Sequence, residues 1–323
     1  MRPRLLTASV SCLLLGLGLA DAALAGNGGV APPHGVSPNA DRIVDSYWLI
    51  AVFTGFIFLL VEGALIVFVV RFRRRGRPRD AEGPQIHGST RLELMWTVVP
   101  VVFLVCIGGF VFYKLPGIKD VPAASAGNRL QVTVEGRQFY WEFKYANGAV
   151  AVDRLRVPVN RVVTLDVTAP PWDVIHSWWI PKLGGKLDAI PGRVNHTWFQ
   201  AKKVGVYHGQ CAELCGLQHA AMLATVEVMS RADFDAWLAS RRSGGGDLGK
   251  ETWDGVCAKC HRLSGSKLVG PDLAGNATLA DSSALTLLVR NGRGRMPPVG
   301  RHWPDEQLNA LLAYAKKEQK SGG

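Results

Sequence analysis

Cys211-Ala212-Glu213-Leu214-Cys215-Gly216-Leu217-Gln218-His219-Ala220-Ala221-Met222 gathers two thiols, an imidazole and a thioether within one short segment. Such soft donors suit copper better than magnesium or calcium, and a zinc site rarely recruits methionine. A second imidazole, His176, stands upstream in Asp173-Val174-Ile175-His176-Ser177-Trp178. The competing reading of Cys211 and Cys215 is a structural disulfide, which an exported domain would permit. It leaves His219 and Met222 without a role. His196 and His208 have no comparable company and read as ordinary polar or hydrogen-bonding residues.

Around this segment, from Asn128 to Ser230, short alternating runs such as Leu130-Gln131-Val132-Thr133-Val134 and Ala224-Thr225-Val226-Glu227-Val228 predict strands of an antiparallel sandwich or barrel. Pro170-Pro171, Gly184-Gly185 and Pro191-Gly192 punctuate them as turns. A short helix, Ala232 to Ser240, closes the unit.

Further out, the chain of 323 residues is 48% apolar with a net charge of +11, which excludes a disordered chain and a small disulfide scaffold. Two modest globular units and membrane segments fit this length. Tyr47 to Val70 and Leu94 to Tyr113 are nearly continuous apolar runs, each long enough for a transmembrane helix. The loop between them holds Arg71, Arg73, Arg74, Arg75, Arg77 and Arg79, which places it on the cytoplasmic side and both ends of the chain outside. Because that loop carries much of the excess charge, the basic balance gives no support to a nucleic-acid partner. Glu62 lies inside the first helix, where a carboxylate must be neutral or face protein. Cys106 in the second reads as a small packing residue. Met1 to Ala25, with Arg2 and Arg4, an apolar run and Ala23-Leu24-Ala25, reads as a cleaved export signal, the alternative being an uncleaved membrane helix.

Beyond Arg241-Arg242-Ser243-Gly244-Gly245-Gly246, which reads as a flexible linker, Cys257-Ala258-Lys259-Cys260-His261 is the attachment pattern for c-type haem. A zinc site would want a second ligand pair, and none follows. Met296, the only methionine after this motif, offers the sixth ligand, and a Met/His pair suits electron transfer. His302 reads as polar surface.

These residues carry a resemblance that covers about residues 40 to 230. The cysteine segment, preceded by Tyr207-His208-Gly209-Gln210, resembles the dinuclear copper (CuA) centre of subunit II of haem-copper cytochrome c oxidases. Leu183 to Arg193 resembles a neighbouring segment, and His87, Thr90 and Leu92-Glu93-Leu94-Met95-Trp96-Thr97-Val98-Val99-Pro100 resemble its membrane part. The resemblance implies that Cys211 and Cys215 bridge two coppers, with His176 and His219 each binding one. Met222 and the Glu213 carbonyl would be weak outer ligands, and the Glu213 side chain would bind magnesium where subunit I docks. One departure stands out: the family has a Trp after Gln as its electron-input residue, whereas Gln138 here precedes Phe139, Tyr140 and Trp141. This is either a hydrophobic replacement on a strand or a sign that electrons arrive elsewhere. With Gly270-Pro271-Asp272-Leu273 and a terminal helix through Leu308, Leu311, Leu312 and Tyr314, the last unit resembles class I cytochromes c. There the Pro271 carbonyl would hold the His261 ring.

The expected architecture is a multidomain membrane protein. It comprises a signal peptide (1–25), an amino-terminal arm (26–46), a two-helix transmembrane hairpin (47–115), an all-β cupredoxin-like domain (116–240), a linker (241–247) and an all-α class I cytochrome c domain (248–323). The resemblance implies the electron-input subunit of a caa3-type oxidase in a bacterial inner membrane, with covalent haem c passing electrons to the CuA centre and on to subunit I, where oxygen reduction is coupled to proton pumping. Expected partners are subunit I and the other oxidase subunits, an upstream cytochrome or quinol-oxidising complex, and membrane lipid. Alternatives are the corresponding subunit of a CuA-containing nitric oxide reductase, a membrane-anchored copper-delivery module, and a structural domain with a Cys211–Cys215 disulfide.

Overall fold

The computed structural model of the protein describes residues 31–73, 76, 83, 85–242, 247–263 and 266–321. The expected export signal, most of the basic loop and residues 243–246 of the expected linker lie outside the described residues. Two compact units are present, one built from the long helices and the other from the chain from Lys119 onward together with His34–Asp41.

In the first unit, α1 (Pro38–Arg71) and α2 (Thr90–Lys119) are each long and apolar enough to cross a membrane. Their outward side chains are exposed hydrocarbon, as at Phe58, Leu59 and Leu104. Within an aqueous protein such a surface would be untenable, whereas lipid is its natural solvent. The helices meet through Phe53 and Phe56 against Phe103, with ring centroids 5.1 and 6.0 Å apart, and through Lys114 and Asp45 at 2.7 Å. Cys106 is exposed on α2. Helix α1 also begins well before the expected start of the anchor, because Pro38 suits a first helical position and the Ser37 carbonyl accepts the Asp41 amide.

The second unit opens with β1 (Arg129–Arg137), β2 (Tyr140–Tyr145), β3 (Val150–Val152), β4 (Arg154–Pro158) and β5 (Val162–Thr168). It continues through β6 (His176–Trp178), β7 (Leu187–Ala189), β8 (Asn195–Phe199), β9 (Gly205–Gln210) and β10 (Leu223–Met229). One sheet runs β3-β2-β1-β5-β8 and a second β4-β10-β9, with β6-β7 as a short ribbon. Alternate residues of β1, β5 and β10 point into one core, among them Val132, Val134, Leu165, Val167, Val226 and Val228. The expectation of purely antiparallel pairing does not hold: β1 pairs parallel with β5, and β10 with β4. The chain leaves the first sheet at Asp153 to form β4 in the second, then returns as β5 beside β1, so the two strands run the same way. Trp178 seals the core with edge contacts to Trp141 and Phe143 at 5.2 and 5.6 Å. The amino-terminal arm is part of this domain, for Val36 bonds through its backbone to Lys182 and Lys202, and Asn39 Nδ2 donates to the Trp198 carbonyl at 2.6 Å.

Helix α3 (Arg231–Arg242) lays Phe234 and Trp237 against Tyr145. It extends through Arg241 and Arg242, which the glycine-rich texture assigns to the linker, because Glu251 anchors the buried Arg241 guanidinium at 2.6 Å. The helical domain follows: α4 (Leu248–Gly255), α5 (Ala277–Ala280), α6 (Ser282–Asn291) and α7 (Asp305–Ser321). Asp281 caps α6 by accepting from the Ser283 and Ala284 amides, and Gly292, at φ 71°, ends it.

The helical and β domains share a core. Tyr140 and Val152, from β2 and β3, are buried in one cluster with Trp253, Trp303, Leu308 and Leu311. The Tyr140 hydroxyl donates to the Val299 carbonyl at 2.7 Å and accepts from Trp303 Nε1 at 2.9 Å. His302, read from sequence as polar surface, instead stacks on Trp172 with centroids 4.1 Å apart. A linker texture therefore understates how tightly the two domains are joined. Tyr140→Phe would leave the Trp303 donor and the Val299 acceptor unpaired and should destabilise the junction by about 1–3 kcal/mol, read as a lower thermal midpoint of the haem-domain transition. An unchanged midpoint would show that water replaces the hydroxyl at no cost.

Candidate metal centres

The segment from Cys211 to Met222 is a loop between β9 and β10, closed on itself by the Cys211 amide donating to the Met222 carbonyl at 2.9 Å. The Ala212 amide donates to the Ser177 carbonyl at 2.9 Å, which ties the loop to β6 and so to His176. Close packing fixes that ring, since a Cβ on Gly136 would come within 2.9 Å of the His176 Cβ. His176, Cys211 and Cys215 are all buried, and their ligand atoms lie within 4.8 Å of one another. His176 Nδ1 is 4.0 Å from Cys211 Sγ, and His219 Nδ1 is 3.6 Å from Cys215 Sγ. Met222 Sδ lies 3.8 Å from Cys215 Sγ, and the Glu213 carbonyl accepts from Cys211 Sγ at 3.2 Å. The two sulfurs stand 4.0 Å apart, beyond disulfide bonding distance, so both are placed to act as ligands. All six donors named from sequence thus converge, an arrangement that fits a copper pair bridged by both sulfurs.

The remaining ring nitrogen of His176 faces Asp173 Oδ1 at 3.1 Å, an orienting contact of the kind that fixes a metal-binding imidazole. Burial opposes protonation of this ring, yet hydrogen bonds to Asp173 and Cys211 outweigh it and raise its pKa. The contact between the two thiols lowers the Cys211 pKa and raises that of Cys215, where burial acts in the same direction. The Glu213 carboxylate turns away from the sulfurs to Lys186 Nζ at 3.3 Å, and Asp188 meets the same ammonium at 2.6 Å. His196, read as an ordinary polar residue, pairs with Asp166 at 2.8 Å.

In the helical domain Cys257, Cys260, His261 and Met296 come together. Cavities of about 350 and 450 Å³ adjoin there, and Cys257, His261, Pro271, Arg293 and Met296 line both. His261 Nδ1 lies 2.8 Å from the Pro271 carbonyl, the contact expected from sequence. Gly270 lies against the same ring, where a Cβ would collide with it. A pair of backbone hydrogen bonds between Arg293 and Met296, each 3.0 Å, makes the tight loop that presents the thioether. Apolar volume, two thiols and an imidazole held at its far nitrogen together fit a haem.

Sequence reasoning missed that the first cavity is also lined by Gln138 and Phe139 of the β domain. Gln138 Nε2 donates to the Cys215 carbonyl at 2.7 Å, so the turn between β1 and β2 touches the cavity on one side and the thiol loop on the other. The signal available was the aromatic run Phe139-Tyr140-Trp141 itself, whose members serve different cores.

A two-helix anchor, a cupredoxin-like domain with a soft-donor cluster and a haem-binding helical domain define a membrane-bound electron-transfer subunit. Residues 27–113 match the family of cytochrome C oxidase subunit II transmembrane domains, and residues 148–229 that of its periplasmic domains. Residues 245–314 match the family described as cytochrome C oxidase, cbb3-type, subunit III. Cytochrome c oxidase subunit 2 of Alkalihalophilus pseudofirmus is 31% identical over 309 residues, covering 86% of this chain and 88% of the relative. The probable cytochrome c oxidase subunit 2 of Rickettsia bellii is 34% identical, covering 66% of this chain and 83% of its own. The crystal structure of the periplasmic domain of cytochrome oxidase subunit II from Bradyrhizobium japonicum is 34% identical, covering 36% of this chain and 96% of that domain, with a TM-score of 0.35.

The chain belongs to the cytochrome c oxidase subunit 2 family, with a cytochrome c domain fused behind the copper domain. It is a membrane-bound subunit of a haem-copper oxidase with an extracellular domain, serves electron input, and partners subunit I and other oxidase subunits.

Met222→Leu conserves volume at a buried position but removes the thioether; copper should stay bound while its potential shifts in a redox titration. Complete loss of copper would show that the two thiols do not hold the metal by themselves. Because copper must displace thiol protons from Cys211 and Cys215, uptake should release protons and weaken as pH falls, which competitive copper titrations at several pH values would register. A pH-independent affinity would contradict thiolate ligation. Gly270→Ala should displace the His261 ring and abolish the low-spin haem spectrum, whereas an unchanged spectrum would show that the ring can shift without loss of ligation.

Proposed function

We propose that this chain is subunit II of a caa3-type, proton-pumping cytochrome c oxidase of a bacterial inner membrane. The observation that carries the reading is the placement of Gln138 and Phe139 between the cavity of the helical domain and the backbone of Cys215. Cys257 and Cys260 would attach haem c covalently, with His261 and Met296 as iron ligands and the Pro271 carbonyl orienting His261. Cys211 and Cys215 would bridge the CuA pair, His176 and His219 would each bind one copper, and Met222 and the Glu213 carbonyl would complete the set. When bound, the two groups supply one-electron redox chemistry in series, between an upstream cytochrome or quinol-oxidising complex and subunit I, where oxygen is reduced.

The protein's part is to position these groups and keep water away. Burial of His176, Cys211, Cys215 and Met222 leaves no room for a substrate at the copper site, as suits a site that only passes electrons. Phe139, at the position where the resemblance places Trp, lines the cavity of the helical domain, which supports electron input from the fused haem domain at this turn. The Glu213 carboxylate, half-exposed beside Lys186 and Asp188, is the group offered to magnesium at the subunit I interface. Leu214 and Leu217, exposed on either side of Cys215, add apolar surface for that docking.

Metal analysis and spectroscopy of the purified oxidase test the reading. Two coppers in this chain per covalent haem c are expected, with one unpaired electron shared by both coppers in electron paramagnetic resonance and a matching near-infrared band. A single localised copper, or none, would overturn it.

A further inference from the structure

Lys259, one of the two residues between the haem-attaching cysteines, points out of the helical domain and into the β domain. Its ammonium donates to the Phe139 carbonyl at 2.8 Å and forms an ion pair with the Asp153 carboxylate. Both partners are well placed to hold it. Asp153, at φ 55° where the chain passes from β3 to β4, has its other oxygen fixed by the Trp141 amide at 2.8 Å. Lys259 and Asp153 are largely shielded from water, with 13% and 19% of their side-chain surface exposed. A charged hydrogen bond in such a setting is stronger and more directional than one at an open surface. Phe139, whose carbonyl is the target, lines the haem cavity, and its neighbour Gln138 bonds to Cys215.

We infer that Lys259 is the latch that seats the haem crevice on the Gln138–Phe139 turn, and is thereby a positioning residue for electron transfer from haem c to the copper pair. The inference rests on the relay proposed above. In that transfer the haem, when bound, would give up one electron and the copper pair would take up the same electron, with no proton moved. The transfer rate falls exponentially with distance, so it follows the fraction of molecules in which the crevice is seated. Tyr140, Val152 and Trp172 hold the domains together more broadly, but among the described residues Lys259 alone joins the haem-attachment motif to the Phe139 backbone.

The test uses the intact oxidase with Lys259→Met, Asp153→Asn and Lys259→Arg. Single-turnover transfer from photoreduced haem c to copper should slow about tenfold or more in Lys259→Met and Asp153→Asn, and return toward the wild-type rate in Lys259→Arg. Amide hydrogen exchange at Phe139 and Tyr140 should quicken in the two slow variants, while the haem and copper spectra and both potentials stay as in the wild type. Equal rates and equal exchange in all variants would overturn the latch. Altered haem potential in Lys259→Met with unchanged exchange would also overturn it, by placing the effect on the haem itself. Absence of haem-to-copper transfer in the wild type would instead contradict the relay.

Discussion

Two cysteine sulfurs held 4.0 Å apart, too far for a disulfide bond, are the constraint around which the β domain is arranged. Left alone in an oxidising compartment, thiols so close would tend to close into a disulfide. Here the loop is pinned from several sides: Cys211 to Met222 at its base, Ala212 to Ser177 on β6, and the Cys215 carbonyl to the Gln138 side-chain Nε2. Each pin engages a different strand or turn, so the donor set depends on the sandwich being complete. The soft cluster is therefore a property of the fold as much as of the segment that carries it.

The same economy governs the junction between the domains. Successive residues of one aromatic run face different tasks: Phe139 lines the haem cavity, Tyr140 is buried in the helical domain's core, and Trp141 in the sandwich. Strand alternation separates Tyr140 from Trp141, because neighbouring side chains leave β2 on opposite faces, while Phe139 lies in the turn before the strand. Beneath Tyr140 lies a cluster of charges in which Arg137 meets Glu135 at 2.6 Å and the fully buried Glu142 at 3.3 Å. Burial and the negative charge of Glu135 favour a protonated Glu142, while Arg137 and Lys144 oppose this; burial prevails and its pKa is raised. In the proposed relay, a domain fused in this way would deliver its electron by an intramolecular contact whose effective concentration does not depend on diffusion.

Much of the site was legible in the sequence because ligands for soft metals are rare residues at short spacings. The Cys211 to Met222 segment and the Cys257 to His261 motif each place most of their donors within one loop or turn, and local spacing carries that information. His176 and Met296, more distant, could be named because few other imidazoles or thioethers were available. The parallel pairing of β1 with β5 was not legible, since alternation reports which face is buried and says nothing of the neighbouring strand's direction. The contacts of Lys259 with Phe139 and of His302 with Trp172 were equally hidden, because they join residues more than a hundred positions apart and each looks like ordinary surface in its own segment. The amino-terminal arm's bonding to the sandwich at Val36 and Asn39 was concealed for the same reason.

The central claim is that the haem domain stands in series with the copper site, with the turn at Gln138 and Phe139 between them. The order in which the two centres are reduced tests this most directly. Rapid mixing of the oxidised enzyme with its one-electron protein donor, followed at the haem bands and the near-infrared copper band, should show the haem reduced first and the copper filling only as the haem is reoxidised. Copper reduced at once, with the haem lagging behind or untouched, would contradict the account.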